Sequence, residues 1–333
     1  MIHFRPLPGR PESWDSLIRG YDTKTLFHES AWLDHVADIH PNGRIGYYEV
    51  VQNDTVIGYH CGLEIRKMLL PIHGSPLGGT GTNHMGPLVS RETDQRALVR
   101  GLSRLLGVGG FLHIELSHFM LDPVVMADEG FSVQEGVTHL IPLGGSVDDA
   151  WSELKSEARN RVRKAQKNGL VIERAYDRSV VEEFFDQFKE VYGKQGMDVP
   201  FTIDRPKSLF DHLNAAGRLL PLRVRHGEDV VATGLFPFDE RCIYFWGAAS
   251  WIRHHKLCPN EALQWAVIEF AVQEGIPAYN MCGGTSQFKN KFGGEDVPNN
   301  IYYRSALPML SWARDRYRTR HFRNLRKTAV EAS

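Results

Sequence analysis

Apolar positions along the chain change period in an order that occurs twice. Residues 1–25 read as a short edge strand followed by a proline-started helix from Pro11 to Arg19. From Ser30, the residues Trp32, Leu33, Val36 and Ile39 recur at steps of three and four, which predicts a helix. Residues 45–51 and 56–65 form two apolar runs bridged by Gln52, Asn53, Asp54 and Thr55, the composition of a hairpin turn. A glycine–proline loop over 74–87 leads to Ala97, Leu98, Val99, Leu102, Leu105 and Leu106, an amphipathic helix stopping at Gly107, and residues 111–116 predict a buried strand. The order then returns. A helix over 180–192, a hairpin of 219–225 and 230–236 across 226–229, a strand over 242–248, a helix over 259–274 stopping at Gly275 and a short strand at 278–281 follow in turn. Helix, hairpin, strand, helix, strand at matching intervals argues for two copies of one α/β unit.

The join between the copies reads as a single helix over 146–169. Ser146 and the acidic residues after it suit an N-terminus; Val147, Trp151, Leu154, Ala158, Val162 and Ala165 make its apolar stripe; Gly169 is the stop. Its other faces carry Arg159, Arg161, Arg163, Lys164 and Lys167, either solvated charges or contacts for phosphate. A second basic run spans 314–327, where Arg316, Arg320, Arg323 and Lys327 share a helical face, either solvated or a landing strip for an anionic partner.

With 333 residues, 42% hydrophobic and 24% charged, the chain has apolar material for one large or two medium cores. The net charge of −1 argues against indiscriminate nucleic-acid binding, which confines any such role to the basic runs. Prolines break the N-terminal segment and no apolar run reaches membrane-spanning length, so a cytoplasmic, monomeric protein without stable membrane insertion is expected. The four cysteines include no C-x-x-C pair and the 15 histidines no H-E-x-x-H, so neither a disulfide framework nor a metal site is expected. The loop at Gly74 lacks the Gly-Lys-Ser/Thr ending of a phosphate-binding loop, and no G-x-G-x-x-G opens a helix after a strand.

The run 279–294 joins a strand to two glycine pairs, Gly283-Gly284 and Gly293-Gly294, with Phe288 and Phe292 spaced to anchor one side of a turn and Lys289 and Lys291 free to enter a cleft. We read it as the wall of an active site. Asn280 ends the strand before it; Asn260 and Gln264 lie one helical turn apart; all three suit hydrogen bonds to a substrate amide. Tyr244 and Trp246 alternate along their predicted strand and so share a face, as core aromatics or as the lining of an acyl or acceptor groove. Cys282 has no local histidine partner and reads as a buried small residue rather than a nucleophile.

The run 279–294, with residues 27–32, the glycine–proline loop and the basic stretch 159–169, resembles the FemAB/FemX family of peptidoglycan interpeptide-bridge aminoacyltransferases. The Gly-Gly to Phe-Lys-x-x-Phe-Gly-Gly stretch is its most specific part. The resemblance implies an α/β (α+β) fold of two tandem GNAT-like (acyl-CoA N-acyltransferase-like) domains, over 1–144 and 145–304, with a basic C-terminal helix over 305–333 returning to the first. It also implies amide formation from aminoacyl-tRNA on a small-molecule or nucleotide-linked amine acceptor, with no cofactor. Lys289 would be the transition-state lysine, and Lys291 the alternative in a register shifted by two. Gly283, Gly284, Arg159, Arg163, Tyr244, Trp246, Asn260 and Asn280 would line the substrate site, with Ser75 and Thr80 in the loop bordering the acceptor cleft. A GNAT enzyme using acyl-CoA places a glycine-rich loop before the helix that starts here at Pro259; this chain has Arg253, His254, His255 and Lys256 instead, and proline removes a donor. That departure ranks aminoacyl-tRNA above acyl-CoA. An acyl-CoA-dependent N-acyltransferase acting on a sugar or small metabolite, and a non-catalytic binding module, are the alternatives.

Overall fold

The computed structural model describes residues 1–67 and 70–307, so the basic run 314–327, and the expected C-terminal helix from residue 308 on, lie outside the described residues. The chain divides into two compact units, residues 1–137 with the segment beginning at Pro298, and residues 138–297.

The first unit runs β1 (Ile2–Pro6), α1 (Trp14–Ile18), α2 (Ser30–Asp38), β2 (Gly43–Gln52), β3 (Thr55–Lys67), β4 (Leu70–Ser75), β5 (Leu88–Val89), α3 (Gln95–Ser103), β6 (His113–Leu116), α4 (Pro123–Asp128) and β7 (Ser132–Gln134). Asn53 and Asp54 both take positive φ, 49° and 61°, so the β2–β3 hairpin closes with the right-twisted two-residue turn expected of that pair. The α3 crossover brings β4 and β6 side by side in parallel, Ile72 opposite His113 and Ser75 opposite Leu116. Asp94 caps α3, its carboxylate accepting from the amides of Arg96 and Ala97.

The second unit contains β8 (Val137–Pro142), α5 (Val147–Glu153), α6 (Ser156–Lys167), β9 (Leu170–Arg174), α7 (Ser179–Lys194), α8 (Asp204–Ala215), β10 (Leu219–His226), β11 (Asp229–Pro237), β12 (Ile243–Tyr244), β13 (Gly247–Ser250), α9 (Pro259–Gln273), β14 (Ala278–Asn280), α10 (Gln287–Asn290) and β15 (Glu295–Pro298). The chain then makes β16 (Ile301–Ser305), which pairs with β6 and β7 in the first unit's sheet. The repeated order is therefore present: hairpin, strand, crossover helix and parallel strand occur as β2–β3–β4–α3–β6 and as β10–β11–β12/β13–α9–β14. The division falls at 137/138 and 297/298 rather than at 144/145 and 304/305, because β8 joins β14 (Ile141 opposite Tyr279) and β16 joins β6.

Two elements differ from expectation. The helix over 146–169 is two helices: Leu154 and Lys155 are extended, with ψ 140° and 151°. The apolar stripe runs on through the break, and the freed backbone groups find other partners. Arg159 Nη1 donates to the carbonyls of Ser152 (2.8 Å) and Leu154 (2.7 Å), and the Lys155 amide to Lys291 O (3.0 Å). The strand over 242–248 is also broken, at Phe245 and Trp246. β12 pairs in parallel with β14, whereas β13 pairs with β11, so the second unit has two four-stranded sheets, β13-β11-β10-β9 and β12-β14-β8-β15.

Candidate active site

β13 and β14 are not hydrogen-bonded, so the two sheets of the second unit part between them. The Phe245 amide donates to Asn280 O (2.8 Å), the last link before the sheets separate. In the chain, β14 leads into the loop that carries Lys289, and β13 leads through the turn at 252–257 into α9.

The loop is held by its own backbone conformation and by β8. Cys282 and Gly283 both have φ near 55°, a left-handed pair that costs a non-glycine residue energy unless its surroundings compensate. Asn280, 3% exposed, supplies part of that: its Oδ1 accepts from the Cys282 amide (2.9 Å) and from Thr138 Oγ1 (2.5 Å). The His139 amide donates to Gly283 O and the Met281 amide to His139 O, both at 2.8 Å. Ser286 caps the single turn of α10, accepting from the Lys289 amide, and Phe292, 1% exposed, and Phe288 pack against the core as the expected anchors.

This turn aims Lys289 back at the loop. Its Nζ donates to the carbonyls of Cys282 and Gly284, the latter at 3.2 Å. Burial lowers the ammonium's pKa, opposed by the charges of Cys282 and Asp296. An ammonium has three donors, and two are engaged on these carbonyls, which leaves one for an oxygen arriving beside the loop.

Lys291 does something else. Its Nζ is 2.6 Å from Glu261 Oε1, with the two side chains 8% and 10% exposed, and lies 4.5 Å from the centre of the Phe288 ring. It is a buried ion pair tying α10 to the first turn of α9, so it cannot enter a cleft as the register-shifted reading required.

A polar group that the sequence reading missed braces the same loop. His139 Nδ1 is 3.0 Å from Asp296 Oδ1 and its Nε2 is 2.8 Å from Gly293 O. Asp296 also accepts from Thr285 Oγ1 (2.6 Å) and the Thr285 amide (3.1 Å), and these bonds with His139 hold its carboxyl near pKa 2. His139 and Asp296 are 157 positions apart in the chain, and no local pattern pairs them.

The start of α9 is a poor seat for an anion on its backbone. Cys258 precedes it in the left-handed conformation, Pro259 occupies its first turn without an amide proton, and the Glu261 carboxylate lies in that turn. Basic side chains flank it: Ile252–Leu257 forms a 3-10 turn carrying Arg253, His254, His255 and Lys256, and α6 packs its Ala165 against Cys258 and Ala262, placing Arg161 Nη1 4.0 Å from Cys258 Sγ.

Other expected ligands are scattered. Arg159 is engaged on the helix break, and Arg163 lies over the Trp151 ring at 5.4 Å. Tyr244 is 4% exposed, whereas Trp246 is partly exposed among aromatic rings; the break at Phe245 and Trp246 cancels the alternation that would have put them on one face. Asn260 is partly buried in the first turn of α9, and Gln264 accepts from Tyr279 Oη at 2.5 Å. Gly283 is exposed and Gly284 partly so. Ser75 and Thr80 belong to the first unit, where Ser75 Oγ donates to Cys61 O (2.6 Å) and Thr80 Oγ1 to Leu77 O (2.9 Å), bonds that hold their own loop.

The profile of the Acetyltransferase (GNAT) domain family matches residues 152–290, which include β13 and β14 on either side of the split, α9 and Lys289. Residues 152–290 are a GNAT acyltransferase domain. Solved structures extend the likeness beyond this GNAT domain. FemX is 14% identical, with a TM-score of 0.70 over 87% of this chain and 95% of its own. A tandem GNAT protein from the clavulanic acid biosynthesis pathway is 11% identical, with a TM-score of 0.51 over 92% and 99%. The C-terminal domain of a putative lysylphosphatidylglycerol synthetase from Agrobacterium fabrum is 12% identical, with a TM-score of 0.52 over 82% and 88%. The chain thus has the double-GNAT fold of FemX. No curated protein sequence matches it. No helix among the described residues is long and apolar enough to cross a membrane, and no group of three or more potential metal ligands occurs among them.

Proposed function

We propose that this GNAT domain forms amide bonds by moving an aminoacyl group from aminoacyl-tRNA to an amine acceptor in the cytoplasm. The observation that carries the proposal is Lys289: an ammonium half-buried beside the sheet split, oriented by two carbonyls and with one donor uncommitted. In the reaction the amine nitrogen attacks the ester carbonyl, the bond to the ribose oxygen breaks, and the proton lost by the amine ends on the leaving hydroxyl. Lys289 stabilises the oxyanion that develops between those events, and no covalent enzyme intermediate is needed.

Charge at α9 favours the tRNA donor. A pyrophosphate seated on the helix start would meet the Glu261 carboxylate and find no amide proton on Pro259. Arg161 beside Cys258, with Arg253, His255 and Lys256 in the 3-10 turn that precedes it, instead suits a phosphodiester backbone held by side chains. The second reading, an acyl-CoA donor, draws on the GNAT profile match itself and on the split between β13 and β14.

Filter binding of charged tRNA alongside calorimetry with acetyl-CoA separates the two donors; micromolar binding of acetyl-CoA without binding of charged tRNA would overturn the first. With a labelled aminoacyl-tRNA and amine fractions of a cell extract, the product is an alkali-stable amide. Lys289→Met should lower its formation about 100-fold, the scale of one oxyanion donor, with donor affinity unchanged. An undiminished rate in that variant removes Lys289 from the chemistry.

A further inference from the structure

On the α7 side of the second unit lies a set of aromatic rings outside the Lys289 loop. Phe188 and Tyr192 on α7 are 4.8 Å apart between ring centres, Phe201 before α8 is 5.5 Å from Phe188, and Trp246 at the strand break is 5.8 Å from Phe201. All four are partly exposed, so they are not core in the manner of Phe184, 0% exposed, on which Phe188 and Trp246 rest.

Arg205, at the start of α8, lies with its guanidinium carbon 5.5 Å from the centre of the Phe201 ring. It is partly exposed with its Nε buried, and it differs from Arg223, the buried arginine of this unit. Arg223 is surrounded by Glu173, Asp177 and Glu183, each within 3.2 Å. Among the described residues Arg205 has no carboxylate partner: its Nε is buried without an acceptor, and burial lowers its pKa with no anion among them to restore it. A guanidinium Nε–H withdrawn from water without an acceptor loses hydration that a ring face replaces only in part. The unmatched Nε of Arg205 is a donor, which calls for an acceptor.

We propose that Arg205 and the rings of Phe188, Tyr192, Phe201 and Trp246 form a binding site for a small ligand bearing a carboxylate on an aromatic or similarly flat apolar group. The planar fork of arginine pairs with a carboxylate through two parallel N–H···O bonds, while the rings take the apolar body by offset or edge-on stacking. The site stands on the second unit's own geometry and does not depend on the acyl donor or on Lys289.

Phenylacetate is the probe, with benzyl alcohol as its neutral counterpart and inorganic phosphate as an anion without a ring. Saturation-transfer NMR on the whole protein should give saturable phenylacetate binding with a Kd on the order of millimolar, the scale for ten non-hydrogen atoms. Benzyl alcohol and phosphate should each bind at least about tenfold more weakly, as expected for loss of a charge-assisted pair or of the stacked ring. Arg205→Gln should weaken phenylacetate by the same factor at an unchanged melting temperature. Should that variant melt early, Phe201→Leu, which leaves the guanidinium in place, should weaken it severalfold. Equal binding of phenylacetate and benzyl alcohol, no saturation below about 50 mM, or phenylacetate binding unaltered in folded Arg205→Gln overturns the proposal. None of these outcomes bears on amide formation, so the two readings fail separately.

Discussion

The first unit buries a set of histidines that should make it acid-labile. His28 and His73 are fully buried and His84 is 8% exposed, and each has its pKa lowered from 6.5 to about 4, with burial the largest cause. Smaller contributions come from neighbours. Lys24 and His84 depress His28 further, hydrogen bonds with Gly86 and Thr25 oppose this, and Glu64 raises His73. His60, whose Nε2 is 2.8 Å from His73 Nε2, and His118 are pushed well below 6.5 by burial in the same way. Because the folded pKa lies below the unfolded one, the unfolded chain takes up protons first as the pH falls, and stability is lost between about pH 6.5 and 4. For one histidine moving from 6.5 to 4, the loss at pH 5 is about 2 kcal/mol. Three such groups, treated as independent, give about 6 kcal/mol, comparable with the whole stability of an ordinary domain. Urea unfolding followed by circular dichroism at pH 7, 6 and 5, at constant ionic strength, measures this directly. His84→Gln should flatten the dependence by roughly a fifth, the share of one group among the five with His60 and His118 included. A stability constant within 1 kcal/mol from pH 7 to pH 5 would refute the reasoning, since neutral burial of these rings is its only premise.

Two further substitutions test how the Lys289 loop is held. Lys291→Met leaves Glu261 as a buried charge without its partner and should cost about 3–5 kcal/mol in urea unfolding, whereas Lys291→Met with Glu261→Gln should recover most of it; a double variant no more stable than the single one counts against the pair. Gly293 and Gly294 both have positive φ, 88° and 80°, but a Cβ on Gly294 would lie 2.4 Å from Leu140 O, while one on Gly293 would come no closer than 3.6 Å to Glu153 O. Gly293→Ala should therefore cost about 1–2 kcal/mol of backbone strain and Gly294→Ala at least about 2 kcal/mol more; equal losses would show that the close approach to β8 does not matter.

Much of the fold was legible in local pattern. The Asn53-Asp54 turn, the stop of α9 before Gly275 and the anchoring by Phe288 and Phe292 all follow from residues within a few positions of one another, where steric preference and periodicity act directly. Lys289 was singled out by its place in a motif, and its burial was visible only in the structure. The apolar stripe of 147–165 passes through Leu154 and Lys155 without interruption, so nothing in it marks a break that Arg159 and Lys291 O make tolerable. Helix α8 went unread, and the strand over 242–248 looked continuous because its composition does not say which neighbour each half pairs with.

By itself, then, the sequence determined the doubled order of helices and strands and the turns that punctuate it, because those depend on contacts between near neighbours. The tertiary structure alone decided which lysine is committed to an ion pair and which keeps a donor, where the two sheets part, and that His139 meets Asp296. Those outcomes depend on groups tens to more than a hundred residues apart, whose charges and hydrogen bonds are matched only once the chain has closed on itself.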